Sequence, residues 1–165
     1  MSDHAAQLAN RLEAVNGEFI DVVTACSPEQ WQRTSNGEGW TVGVVAHHAA
    51  GSHAAFNGLI QALVATNGNV PPVTPEQIND GNAHHAREFA NVGKPETLEL
   101  LVRDGSALVQ HIRGLTDEQL AVTSTVFFGG EMTVAQAIDH VVIGHPTGHL
   151  ASIRATLADR AEAAG

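Results

Sequence analysis

Cysteine occurs once in 165 residues, as Cys26, so the chain can build neither an internal disulfide nor a thiolate metal site nor a CxxC redox pair. A small buried hydrophobe near a helix end is the plain reading of that one thiol. Basic residues are scarce as well: eight stand against eighteen acidic ones, for a formal charge of −10. Such a surface repels phosphate backbones and anionic lipid, so no nucleic-acid partner is expected. No run approaches the roughly 18 consecutive apolar residues that cross a bilayer. Met1 to Leu12 also lacks a basic stretch followed by an apolar one, and a soluble cytoplasmic protein with no membrane partner is expected. No Pro/Gly/Ser-rich linker or charge run divides the chain, which predicts one domain over 1–165.

Hydrophobic residues make up 43%, enough for an ordinary globular core. Leu8, Leu12, Val15, Phe19 and Val22 step by fours and threes and predict a first helix over 4–25. Ser27-Pro28-Glu29-Gln30 reads as a capping box opening a short turn that carries Trp31. Thr41 can cap a second helix whose stripe runs Val45, His48, Ser52, Phe56, Leu59 and Leu63, ended by Gly68 and Pro71-Pro72. Thr74-Pro75-Glu76-Gln77 caps a third region that Gly93 and Pro95 interrupt, giving one bent helix or two, before Leu98, Leu101, Leu108 and Ile112 resume the period. Thr116 to Gln119 is a third capping box. Val122 to Gly130 fits an extended excursion with at most an isolated strand. Thr133 to Gln136 caps a final helix reaching about Arg160, with Val134, Ile138, Val141, His145, His149 and Ser152 on one face. The pattern predicts an all-α four-helix bundle with short extra helical turns.

Histidine is the surplus residue, with ten in the chain. Helix positions four apart differ by about 40° in azimuth and about 6 Å in rise, so His145 and His149 can turn ring nitrogens to one point. His140 lies about 140° from His145, and His53 about 140° from His48; both face elsewhere on regular helices. His48 shares the inward stripe of the second helix, and His47 replaces it as third ligand only if that helix is irregular. One inward histidine is ordinarily a hydrogen-bonded core residue. Three in an apolar interior are costly unless a divalent cation accepts their neutral nitrogens. His48, His145 and His149 are therefore the candidate metal ligands, leaving an open coordination position for water or substrate. His145-Pro146-Thr147-Gly148-His149 lacks the glutamate of an HExxH protease. Gly144, Pro146 and Gly148 should weaken the last helix, and a kink there would rotate His149 away from His145.

Four other groups carry weaker signals. Ser152 can orient a ligand or simply ease packing, Arg154 can hold a carboxylate or sit solvated, Trp31 and Trp40 read as packing residues, and His84 and His85 face solvent or a loop.

Gly39-Trp40-Thr41 with His48 eight residues after the tryptophan, followed late by Gly144-His145-x-x-x-His149, resembles the DinB-like superfamily of four-helix bundles. The similarity extends to the branch of the mycothiol-dependent maleylpyruvate isomerase N-terminal domain. The resemblance implies a divalent metal, zinc or nickel, on His48, His145 and His149. It also implies a low-molecular-weight thiol as co-substrate, and hence a metal-dependent, thiol-using transferase or isomerase acting on a small molecule. The alternative is a non-catalytic metal-binding or stress-associated bundle. A homodimer is expected, and no individual catalytic residue is assigned. Family members often place an acidic residue shortly after the tryptophan where this chain has Gly43 and Val44.

Overall fold

The structure, a computed structural model, describes residues 2–126 and 130–159. In chain order the helices are α1 (Asp3–Ala25), α2 (Pro28–Trp31), α3 (Val42–Ala65), α4 (Pro75–Glu88), α5 (Lys94–Arg113), α6 (Asp117–Leu120), α7 (Val134–Ala137) and α8 (Gly144–Ala158). α5 packs against both α1 and α3, and α8 closes against α3 and α1, which makes the expected four-helix bundle. Among the described residues no helix is long and apolar enough to cross a membrane.

Local chemistry sets the helix starts. The four anticipated boxes at Ser27, Thr74, Thr116 and Thr133 all form reciprocally with the glutamine three residues on. Each satisfies two otherwise orphaned backbone donors. Thr41 caps α3 by accepting from the Val44 N–H. Gly43 lies under the Trp31 indole, where a Cβ would come within 2.5 Å of Nε1, so the residue type noted after the tryptophan is set by packing. The third region resolves into two helices, α4 and α5, with Gly93 as the N-cap of the second.

Three expectations are corrected. Thr123–Ser124 (β1) is not an isolated strand, because it pairs antiparallel with Met132–Thr133 (β2); positions 127–129 of that segment, and Arg160 at the expected end of the last helix, lie outside the described residues. The stripe assigned to α3 is rotated: Val42, Ala46, Ala49, His53, Ile60 and Leu63 are buried, while His48, Ser52, Phe56 and Leu59 are half-buried. Alanine and valine surround this helix on nearly every side, so spacing alone does not fix its azimuth. The last helix is broken earlier than expected, by a π-helical turn over Ile138–Ile143. Pro146 cannot donate to the Val142 carbonyl and its ring crowds that group; the wider turn absorbs the mismatch upstream of both histidines, and Thr147 Oγ1 donates to the Ile143 carbonyl at 2.7 Å.

The apolar core falls into two clusters. One gathers Leu8, Leu12, Leu63, Leu108, Ile112 and Ile138. The other gathers Phe19, Val42, Val45, Leu101, Leu150 and Ile153. At the level between them each long helix contributes a small or polar residue: Asn16, His53, Gly105 and His145. A Cβ on Gly105 would stand 2.5 Å from Asn16 Nδ2, which donates to the Leu101 carbonyl at 2.9 Å.

Candidate metal centre

His48 projects from the first half of α3, about two helical turns after the Thr41 cap, and His145 and His149 project from the first turns of α8. The π turn leaves the two α8 positions in regular helical register, so their rings stay close, with centroids 4.5 Å apart. The His48 ring lies 5.0 Å from that of His145 and 5.1 Å from that of His149. One ring nitrogen from each of the three lies within 4.8 Å of the others, and the Nε2 atoms of His48 and His145 are 3.1 Å apart. The expected trio is therefore brought together.

Burial first, and the neighbouring imidazoles second, push the His48 pKa down to about 4 and that of His145 down to about 3. Both rings are then neutral near pH 7 and present lone pairs to a common point. His149 is oriented from behind: its Nδ1–H donates to Glu38 Oε1 at 2.8 Å, which leaves Nε2 for a ligand. Converging neutral nitrogens with a carboxylate behind one of them match what a divalent first-row cation requires.

Glu38 is the residue that sequence reasoning missed. It sits in the loop before Trp40, and Ser152 Oγ donates to its Oε2 at 2.7 Å while Ser35 also donates to it. Burial raises its pKa, but the hydrogen bonds from Ser35, Ser152 and His149 outweigh that and hold the carboxyl below its ordinary value. The signal available was the two-residue spacing from Glu38 to Trp40, and it carries no helical period. Ser152 therefore reaches His149 only indirectly, through Glu38.

The remaining candidates separate cleanly. His140 is exposed, but it sits within the π turn, where the regular-helix azimuth does not apply. His47 is buried but turned from the trio: its Nδ1 lies 3.3 Å from His85 Nε2, and its Nε2 3.7 Å from Glu96 Oε1. His84 is exposed beside Glu88, whereas His85, expected to face solvent or a loop, is half-buried and stacks on His47 at 5.1 Å. Arg154 pairs with Glu18 on the solvated surface. Trp31 is a packing residue whose Nε1 donates to the Val92 carbonyl. Trp40 also packs against the core, and in addition stands edge-on to His48 at 5.5 Å in the wall of the trio's cavity.

The trio opens into a cavity of about 560 Å³ walled by Trp40, Phe56, Ile78 and Val141. A second cavity of about 510 Å³ adjoins it across His48, Ser52 and Asn82 and reaches His47, His85 and Glu96. α4 supplies Ile78, Asn82 and His85 to these walls while burying none of its own residues.

A family model described as the DinB superfamily matches residues 11–153. Among solved structures the chain is similar to YfiT from Bacillus subtilis, with a TM-score of 0.77 and 19% identity, covering 94% of this chain and 87% of that one. That protein is described as a probable metal-dependent hydrolase with an unusual four-helix bundle topology. No curated protein matches the chain.

Proposed function

The chain belongs to the DinB superfamily, and on that premise we propose that it is a metal-dependent enzyme that joins or isomerises a small electrophile with the help of a low-molecular-weight thiol. The observation that carries this reading is the convergence of His48, His145 and His149 at the mouth of an apolar cavity. A divalent ion such as zinc or nickel held there would lower the pKa of a coordinated thiol and polarise an acceptor carbonyl.

A thiol nucleophile fits the surrounding residues. Glu38 is the one carboxylate lining the trio's cavity among the described residues. Its oxygens are engaged by His149, Ser35 and Ser152, so it positions His149 rather than accepting a proton from water. A coordinated thiol needs no such base once its proton is lost to solvent. Trp40, Phe56, Ile78 and Val141 hold apolar parts of the acceptor and exclude water, and Ser52 and Asn82 offer hydrogen bonds where the two cavities meet.

A metal-dependent hydrolase is the second reading, favoured by the description given to YfiT and by the same open coordination position. Elemental mass spectrometry comes first, comparing tag-free wild type with His145→Ala, His149→Ala and His140→Ala. Stoichiometric zinc or nickel is expected in wild type and His140→Ala and is expected to vanish in the other two; the reverse ranking overturns the site. Turnover of an electrophile that requires added thiol supports the transferase or isomerase, thiol-independent ester cleavage supports the hydrolase, and metal binding without either supports the non-catalytic alternative.

A further inference from the structure

Every buried side-chain nitrogen or oxygen without a hydrogen-bond partner among the described residues belongs to the level between the two apolar clusters: Asn16 Oδ1, His53 Nδ1, His53 Nε2 and His145 Nδ1. Their concentration in one layer of a bundle whose other buried polar groups are satisfied points to a shared partner. His53 is the extreme case, 1% exposed with both ring nitrogens unpaired. Leaving one such group unsatisfied costs about 1–3 kcal/mol.

The placement of His145 brings it to the same level. Its ring lies against those of His48, tilted at 5.0 Å, and Phe56, edge-on at 5.4 Å. Those two residues are eight positions apart on α3, a rise of about 12 Å, so His145 lies opposite the turn that carries Ser52 and His53. Its Nε2 points at His48 Nε2, and Nδ1, on the other side of the ring, points into the core. The charge of a protonated His53 is one of the influences that lower the His145 pKa, after burial and the other two histidines, in keeping with this closeness.

We propose that His53 is a positioning residue for the metal ligand His145, joined to its Nδ1–H through a water molecule buried in the polar layer. A buried water is stable where two to four polar groups surround it, and one ring nitrogen of His53 with Nδ1 of His145 supply two, the other His53 nitrogen pointing away across its ring. Fixing the proton on Nδ1 leaves the Nε2 lone pair for the metal, as Glu38 does for His149. One ligand would then be steered from the loop before α3 and the other from within the core. The inference rests on the metal reading of the preceding section.

Two measurements test it. Zinc affinity by chelator competition is expected to fall about 10–100-fold in His53→Leu, the usual effect of losing the partner behind a ligating histidine. The metal-free variant should melt no lower than wild type, because leucine fills the position without unpaired nitrogens, and His53→Gln should restore much of the affinity. A purely structural role for His53 would instead lower the melting temperature and the affinity together. Should His53→Leu not fold, nitrogen NMR of metal-free wild type decides the matter, since His145 must carry its proton on Nδ1, and a proton on Nε2 overturns the proposal. Wild type that takes up no zinc refutes the metal reading and this inference with it; tight zinc binding that His53→Leu leaves unchanged refutes this inference alone.

Discussion

Glu38→Ala removes the group that holds His149 in place, and its effect can be sized from the structure. The Glu38–His149 bond is 2.8 Å long between side chains only 16% and 18% exposed, so solvent replaces it poorly. A hydrogen bond to a charged group contributes about 1.5–3 kcal/mol. Only the part that differs between metal-bound and metal-free protein reaches the binding constant, and losses behind ligating histidines run at about 10–100-fold, or about 1.4–2.7 kcal/mol. We expect that range for Glu38→Ala. A smaller loss, below about tenfold, is expected for Glu38→Gln, which keeps a neutral acceptor for the imidazole N–H. Chelator competition with zinc at pH 7 reads both, with Arg154→Ala as a control on the same helix, because its side chain pairs with Glu18 on the exposed surface. An affinity for Glu38→Ala equal to that of the control would show that His149 is held by helix packing alone and would refute the carboxylate's role.

Metal-free protein should lose stability as pH falls from about 6.5. The folded pKa values of His48 and His53 are pushed down to about 4, and that of His145 to about 3. Below the unfolded value the unfolded chain binds more protons than the folded one, so each group makes stability fall by up to about 1.4 kcal/mol per pH unit until its folded pKa is reached. Urea melts at pH 7 and pH 5 measure this, and equal midpoints would contradict it. Gly105→Ala should destabilise by about 1–3 kcal/mol through overpacking, since the new Cβ meets the buried Asn16 amide at 2.5 Å and displaces it from the Leu101 carbonyl. Adding Asn16→Ala should recover much of that loss, and thermal melts of the single and double variants check the coupling.

The sequence by itself determined the elements whose cause is local. Capping boxes are short-range hydrogen-bond arrangements, and all four formed where Ser27, Thr74, Thr116 and Thr133 announced them. The i, i+4 spacing likewise made His145 and His149 a clamp, because that geometry is internal to one helix and survived once the π turn had absorbed Pro146. Pairing them with His48 required that the second and last helices face each other and that the second be rotated to present it.

Tertiary structure decided whatever depended on azimuth or on distant loops. α3 is apolar around most of its surface, so its spacing could not say that His53 lies deepest and His48 at the rim; contact with α5 and α8 fixed that rotation. Glu38 sits in a loop with no period, and only the fold carries it to His149, 111 residues away. The polar layer of Asn16, His53, Gly105 and His145 draws one residue from each long helix, and such a level exists only when the four are packed side by side.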